Sequence, residues 1–137
     1  MGFLSFLTME KYNTAREELI LLDMRPIIPL EQNQLDTEME TFQNKTLRPI
    51  LKMQHNVLLD VLLLQPNVDS ILKYRERRFA FRDRLKVFMN QAQLKGMFIG
   101  MIIGHFTREE MKFYLQNSKE GNKRILHMVI DRIADSI

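Results

Sequence analysis

The sequence contains no cysteine. This absence excludes a disulfide framework, a thiolate nucleophile and any zinc or iron–sulfur site bound by cysteine. It fits a reducing compartment, so we expect a cytoplasmic protein. The chain of 137 residues is 45% hydrophobic and 27% charged, which is typical of soluble globular proteins. We therefore expect one domain with one core.

Long apolar runs and targeting signals are also missing. The most apolar run, residues 96–106, is far shorter than the ~20 residues that a membrane-spanning helix needs. The first residues, MGFLSFLT, lack the basic region and cleavage site of a signal peptide, and Phe6 stands where a myristoylation motif requires Ser or Thr. We predict no membrane association. Residues 1–8 are either a mobile apolar leader or a segment that packs across a subunit boundary.

Recognisable catalytic and metal-binding motifs are absent as well. The sequence has no phosphate-cradling glycine loop, no HExxH, no EF-hand loop and no GxSxG elbow. His55, His105 and His127 are isolated, without the paired Glu-x-x-His motifs of di-iron bundles. His127 has Asp131 one turn later on a polar face, where we expect solvation. We predict no metal and no cofactor, and whether the protein is an enzyme stays open.

Proline is scarce, and its placement divides the chain. Pro26 and Pro29 exclude a regular helix between residues 24 and 35. We therefore predict a single all-α domain over residues 1–137, with an N-terminal helix and proline-containing linker at 1–36 and a helical core at 37–137. Capping-box spacing marks three helix starts: Thr14 with Glu17, Thr37 with Glu40, and Thr107 with Glu110.

Helical periodicity dominates the core. Residues 47–65 carry apolar side chains over half of a helical circumference, with a possible cap at Thr46 and Pro49 in the first turn. Residues 18–22 favour a first helix over a short strand. Further helices are predicted at residues 69–90, 93–103, 108–117 and 119–137. The pattern predicts an all-α, irregular bundle of five or six helices.

Three of the five glycines, Gly96, Gly100 and Gly104, are spaced by four in the most apolar segment. Because that helix is apolar nearly all round, we expect it to be the buried central helix. Glycine is unfavourable inside a helix, so Gly96 and Gly100 predict close backbone approach, either by internal packing or at a subunit interface. Gly104, followed by the cap at Thr107, predicts the end of the helix.

The basic residues are concentrated between Lys73 and Lys86, where seven basic residues accompany two acidic ones in a chain of net charge +3. Arginines alternating with aromatic residues raise a nucleic-acid hypothesis. However, Tyr74 and Phe81 fall on the apolar stripe of the predicted helix, with the cations on both sides. The pattern favours long cations at a core edge over a nucleic-acid surface.

Four polar residues coincide with positions where the period requires apolar ones or where burial is expected: Arg78, Gln54, Asn122 and His105. One interpretation is that each is bonded to backbone or capping groups, or that the helix boundaries differ from those predicted. The other is that they line a common internal pocket centred on Arg78, which accepts a carboxylate or phosphate. We take the second as the site prediction, with His105 otherwise a satisfied core histidine.

The segments FQNKTLRPILKMQHNVLLDVL, GMFIGMIIGHFTREEMKFYLQN and GNKRILHMVIDRI resemble short uncharacterised bacterial helical proteins, some of which carry the label glyoxalase. The resemblance extends from about residue 40 to the end. The label implies a metal-dependent conversion of hemithioacetals. One glyoxalase class uses His and Glu ligands in paired βαβββ modules, and the other uses a dense His/Asp loop. Neither has a counterpart here, so no catalytic residue is carried over.

Ten methionines and nine phenylalanines predict apolar surface that needs cover. The leading functional prediction is therefore a helical protein that acts by self-association or partner binding, as a homodimer. The alternatives are a small-anion-binding domain or divergent glyoxalase-labelled enzyme, and thirdly a basic nucleic-acid-binding protein.

Overall fold

The computed structural model describes residues 17–29 and 35–137, and all regular structure in these ranges is helical. The all-α prediction is thus confirmed, whereas the expectations for residues 1–8 and for Thr14 lie outside the described residues. None of the helices within these two ranges has the length and apolar composition to cross a bilayer. The helices are α1, described over residues 17–23, α2 (Glu38–Phe42), α3 (Arg48–Met53), α4 (His55–Leu63), α5 (Asp69–Leu72), α6 (Arg78–Met89), α7 (Ala92–Ile103), α8 (Arg108–Gln116) and α9 (Ser118–Ser136).

The first part of the core is a helical run that begins with a cap. The Thr37 hydroxyl accepts a hydrogen bond from the Glu40 N–H at 3.1 Å, as the capping spacing predicts. A π-helical turn at Gln43–Leu47 then leads directly into α3. The prediction of a cap at Thr46 is wrong, because the chain is already helical there and the backbone donors have partners within the run.

The single helix predicted for residues 47–65 is divided at Gln54, whose backbone angles are φ −91° and ψ 8°. The Gln54 N–H still donates to Ile50 O at 3.0 Å, and the Leu58 N–H donates to Gln54 O at 2.9 Å. The division is therefore a local kink rather than a loop. It joins α3 and α4, whose side chains Leu51 and Leu62 are both buried in the core.

The second long helix, predicted for residues 69–90, is also divided. Helix α5 ends at Leu72, residues 73–77 form turns, and α6 begins at Arg78. The backbone leaves the helical region at Arg77, whose angles are φ −100° and ψ 87°, and this separates the turns from α6. The inward positions of α6 are nevertheless as predicted, since Phe81 and Leu85 are fully buried.

Helix α7 is buried along one face only, which corrects the expectation for its glycines. Leu94, Phe98 and Ile102 are in the core, but Gly96 and Gly100 are exposed. A Cβ atom added at either glycine would have no neighbour within 4 Å. The predicted close backbone approach within the chain is therefore wrong, because another stripe of α7 faces the core. The predicted stop is confirmed, since α7 ends at Ile103 with Gly104 at its C-cap.

Helix α9 occupies the position that the sequence suggested for α7. It packs against α4, α6, α7 and α8. Its inward residues follow the predicted helical stripe, and Ile125, Val129 and Ile133 are fully buried. Close approach occurs at Gly121, where an added Cβ would meet the Tyr114 ring at 3.2 Å. The absence of a Cβ atom at Gly121 lets the ring pack closely against α9.

Candidate functional site

Gln54, one of the four predicted site residues, is buried and satisfies the end of α7. Its Nε2 donates to Met101 O at 2.7 Å. Met101 O is one of the last four carbonyls of α7, which lack helical partners beyond the end of the helix. Backbone N–H groups after the helix donate to its neighbours Gly100 O, Ile102 O and Ile103 O. Gln54 therefore completes the hydrogen bonding at this helix end.

Arg78 has a corresponding role at α9. Its guanidinium donates to Ala134 O in the last turn of α9 and to Arg75 O at 3.0 Å, and it lies over the Phe81 ring with its carbon 5.5 Å from the centroid. The residue as a whole is exposed. The prediction of a deeply buried Arg78 is wrong, because α6 begins at this residue and the side chain runs along the surface to α9.

The other two predicted residues have separate partners. Asn122 Oδ1 accepts a hydrogen bond from the Tyr114 hydroxyl, which joins α9 to α8. His105 follows α7, and its backbone carbonyl accepts from Arg25 Nη2 at 2.7 Å. No hydrogen bond in the described part of the chain joins any two of the four residues. Gln54 and Arg78 thus donate to backbone carbonyls, whereas Asn122 pairs with the Tyr114 side chain, and ligand binding by the four residues stays a prediction.

An enclosed polar cluster that the sequence did not reveal lies where α1, the π-helical turn and α8 meet. Arg25, whose side chain is 6% exposed, binds Glu110 with two hydrogen bonds of 2.7 and 2.8 Å. The Thr46 hydroxyl donates to Glu110 Oε2 at 2.8 Å. Glu110 Oε1 also accepts from the Thr107 N–H at 2.9 Å, which completes the predicted capping box. We call Arg25, Thr46, His105, Thr107 and Glu110 the Arg25 cluster.

The protonation states of the Arg25 cluster follow from these contacts. Burial acts to raise the pKa of Glu110, but the hydrogen bonds from Arg25, Thr107 and Thr46 and the charge of Arg25 outweigh it, so the pKa lies below 4.5. Burial, aided by the charge of Arg25, lowers the pKa of His105 below 6.5. The cluster therefore favours an ionised Glu110 beside a neutral His105 imidazole at neutral pH.

The Arg25 cluster anchors the N-terminal segment. In addition to Arg25, Glu18 Oε1 accepts from the Arg108 N–H at the start of α8, at 2.8 Å. These two polar residues face the rest of the molecule, whereas large apolar side chains of the same segment face solvent. The outward residues, which we call the α1 apolar face, are Leu19, Ile20, Leu22, Met24 and Ile27, and they are 46–96% exposed.

The histidines and carboxylates of the described residues are dispersed. No group of three or more His, Asp or Glu side chains within residues 17–29 and 35–137 is placed to hold a metal ion. His127 Nε2 lies 3.3 Å from Asp131 Oδ2 on an exposed part of α9, as the sequence predicted. His105 Nδ1 is buried and, like Arg25 Nε, has no hydrogen-bond partner.

An open cleft of about 600 Å³ lies between α5 and α6. Its polar lining includes Lys73, Asp83 and Arg84, and none of the four predicted site residues borders it. Lys73 and Arg84 also lie over the Tyr74 ring, at 5.3 and 3.8 Å from its centroid. This ring is therefore already covered by cations and is not a free platform for base stacking.

Comparison with models of protein families, with curated proteins and with solved structures finds no match for the chain. The resemblance to short bacterial helical proteins, and with it the glyoxalase label, thus stays a prediction.

Proposed function

We propose that this protein acts by self-association, as a homodimer formed through the α1 apolar face. The observation that carries the proposal is the orientation of α1. Glu18 of α1 and Arg25, which follows α1, bind the rest of the molecule, while the side chains of the α1 apolar face point to solvent. An anchored segment with this orientation presents an apolar surface that a partner can cover.

A second copy of the chain is the partner that this surface fits best. The α1 apolar face consists of aliphatic side chains and Met24, without aromatic or cationic ones. Two such faces related by a two-fold axis cover each other without further complementarity, since a two-fold interface uses the same patch on both subunits. The apolar contact supplies the main driving force.

The test compares two glutamate substitutions at leucines of similar exposure. Leu19, in the α1 apolar face, is 62% exposed, and Leu115, on α8, is 65% exposed. We expect the wild-type chain and Leu115→Glu to sediment as dimers at high micromolar concentration and Leu19→Glu to sediment as a monomer, because the dimer would bury the new charge at residue 19. Circular dichroism checks that both variants keep the helical fold. A monomeric wild type, or equal loss of dimer in both variants, rejects the proposal.

A further inference from the structure

The cleft between α5 and α6, which we call the α5–α6 cleft, lies where the chain breaks between these two helices. Helix α5 ends at Leu72, the chain turns over residues 73–77, and α6 begins at Arg78. The cleft measures about 600 Å³. Protein sites for small molecules usually measure roughly 300–1,000 Å³. The cleft therefore has room for a small molecule, and part of its lining is apolar, from Ile71, Ala80, Val87 and Phe88.

Two cations that line the α5–α6 cleft converge on one aromatic ring. Cζ of Arg84 lies 3.8 Å from the centroid of the Tyr74 ring, and Nζ of Lys73 lies 5.3 Å from the same centroid. Tyr74 is half-buried and packs against the core. Contact with this ring holds the guanidinium of Arg84 in place. Packing thus places two positive charges beside the cleft before any ligand binds.

Neither cation has a counter-charge within residues 17–29 and 35–137. The side chains of Lys73 and Arg84 form no ion pair and no hydrogen bond there. Asp83 also lines the cleft, but its carboxylate is paired with neither of them. A guanidinium that lies over a ring keeps its N–H donors at its edge, in the plane of the group. The donors of Arg84 are therefore available to an anion in the cleft.

The lining of the cleft identifies the class of anion. A guanidinium pairs with a carboxylate through two parallel N–H···O hydrogen bonds. The carboxylate of Asp83 repels negative charge, which favours a singly charged head group over a phosphate dianion. The apolar side chains line the same cleft, so they would remove an aliphatic body from water. We propose that the α5–α6 cleft binds a small amphipathic monocarboxylate, with Arg84 and Lys73 at the carboxylate and the apolar lining at its body.

The test is an NMR titration of the full chain with octanoate, at constant ionic strength and below the concentration at which octanoate forms micelles. We expect saturable binding with a dissociation constant of roughly 0.1–1 mM, because an open cleft covers only part of the ligand. The methyl resonances of Ile71 and Val87 should shift, and those of Leu19 and Leu115, which are exposed on α1 and α8, should not. Octanamide has the same chain without the charge, and acetate has the charge without the chain. Each should bind at least about fivefold more weakly than octanoate.

Two substitutions in the cleft should change the affinity for octanoate in opposite directions. Arg84→Gln should weaken binding by about tenfold, because it removes the guanidinium. Asp83→Asn should strengthen binding by about threefold, because it removes a like charge. Arg75→Gln is the matched control, since Arg75 is exposed in the same basic segment and does not line the cleft, and its affinity should stay within about twofold of the wild type. All three residues are exposed, so we expect the variants to fold, and circular dichroism checks this.

Several outcomes overturn the proposal. It is rejected if octanamide or acetate binds as tightly as octanoate, since the cleft would then select only the chain or only the charge. It is rejected if Arg75→Gln weakens binding as much as Arg84→Gln, since net charge alone would then explain the effect. Tighter binding of octyl phosphate than of octanoate would reject the carboxylate class. Shifts at Leu19 without shifts at Val87 would place octanoate on the α1 apolar face. Binding is measured at the cleft residues, so the proposal is tested separately from self-association.

Discussion

At the residue scale, Glu110 has the most concentrated set of interactions in the described structure. Its carboxylate completes the capping box of α8, binds Arg25 through both oxygens and accepts from the Thr46 hydroxyl. The sequence revealed the first role, because capping is a local pattern. It could not reveal the other two, because Arg25 and Thr46 are 85 and 64 residues away in the chain.

The Glu110 interactions predict a large stability difference between two carboxylates. Glu110→Gln should lower the free energy of unfolding by roughly 3 kcal/mol, because it leaves the enclosed guanidinium of Arg25 without its counter-charge. Glu120→Gln should change it by less than about 0.5 kcal/mol, since Glu120 forms an exposed pair with Arg124. Urea denaturation of both variants measures the difference. Similar losses in the two variants would show that the Arg25 pair is no stronger than a surface pair.

The Arg25 cluster also predicts how stability depends on pH. The folded-state pKa of His105 lies below 6.5, so the unfolded chain binds the proton first and the free energy of unfolding should decrease as pH falls from about 6.5 to the folded-state pKa. The folded-state pKa of Glu110 lies below 4.5. Ionised Glu110 therefore stabilises the fold above pH 4.5, and this contribution is lost as pH falls through its folded-state pKa.

Thermal denaturation across this pH range measures both steps. His105→Gln should remove the decrease that begins near pH 6.5 and keep the decrease below pH 4.5. His127→Gln is the control, because His127 is exposed, and should keep both. A profile that is flat between pH 6.5 and 4.5 in the wild type would contradict the role assigned to His105.

At the element scale, the glycines of α7 and α9 differ in what surrounds them. Gly100 lies on the open side of α7, whereas Gly121 lies against the Tyr114 ring. Both are inside helices, where alanine is preferred over glycine by roughly 0.8–1.0 kcal/mol. Packing around each glycine therefore decides whether its replacement by alanine raises the free energy of unfolding.

We expect Gly100→Ala to raise the free energy of unfolding by about 0.5–1 kcal/mol, because the added methyl group meets nothing. Gly121→Ala should gain less or lose stability, because the Tyr114 ring must move to admit the methyl group at 3.2 Å. Chemical denaturation of the two variants gives the comparison. Destabilisation by Gly100→Ala would show that another surface approaches α7 there, and a parallel change in sedimentation would identify a second copy.

At the scale of the whole molecule, the polar residues singled out from the sequence join separate elements. Gln54 links the α3–α4 kink to the end of α7, Arg78 links α6 to the end of α9, and Asn122 links α9 to Tyr114 of α8. Each bond satisfies a polar group that packing would otherwise leave unpaired. For Gln54 and Arg78, which donate to backbone carbonyls, the bonding agrees with the first of the two interpretations that the sequence left open, whereas Asn122 pairs with a side chain.

The sequence by itself determined the helical class, the start of α8, the end of α7 and the inward stripes of α6 and α9, because capping spacing and 3.6-residue periodicity are local properties. Only the tertiary structure decided the kink at Gln54, the outward glycines of α7 and the meeting of Arg25 with Glu110. Helical periodicity predicts the apolar stripe of a helix, but it does not predict which other helix packs against that stripe. A helix such as α7, apolar on nearly every side, has no stripe that sequence alone can assign to the core.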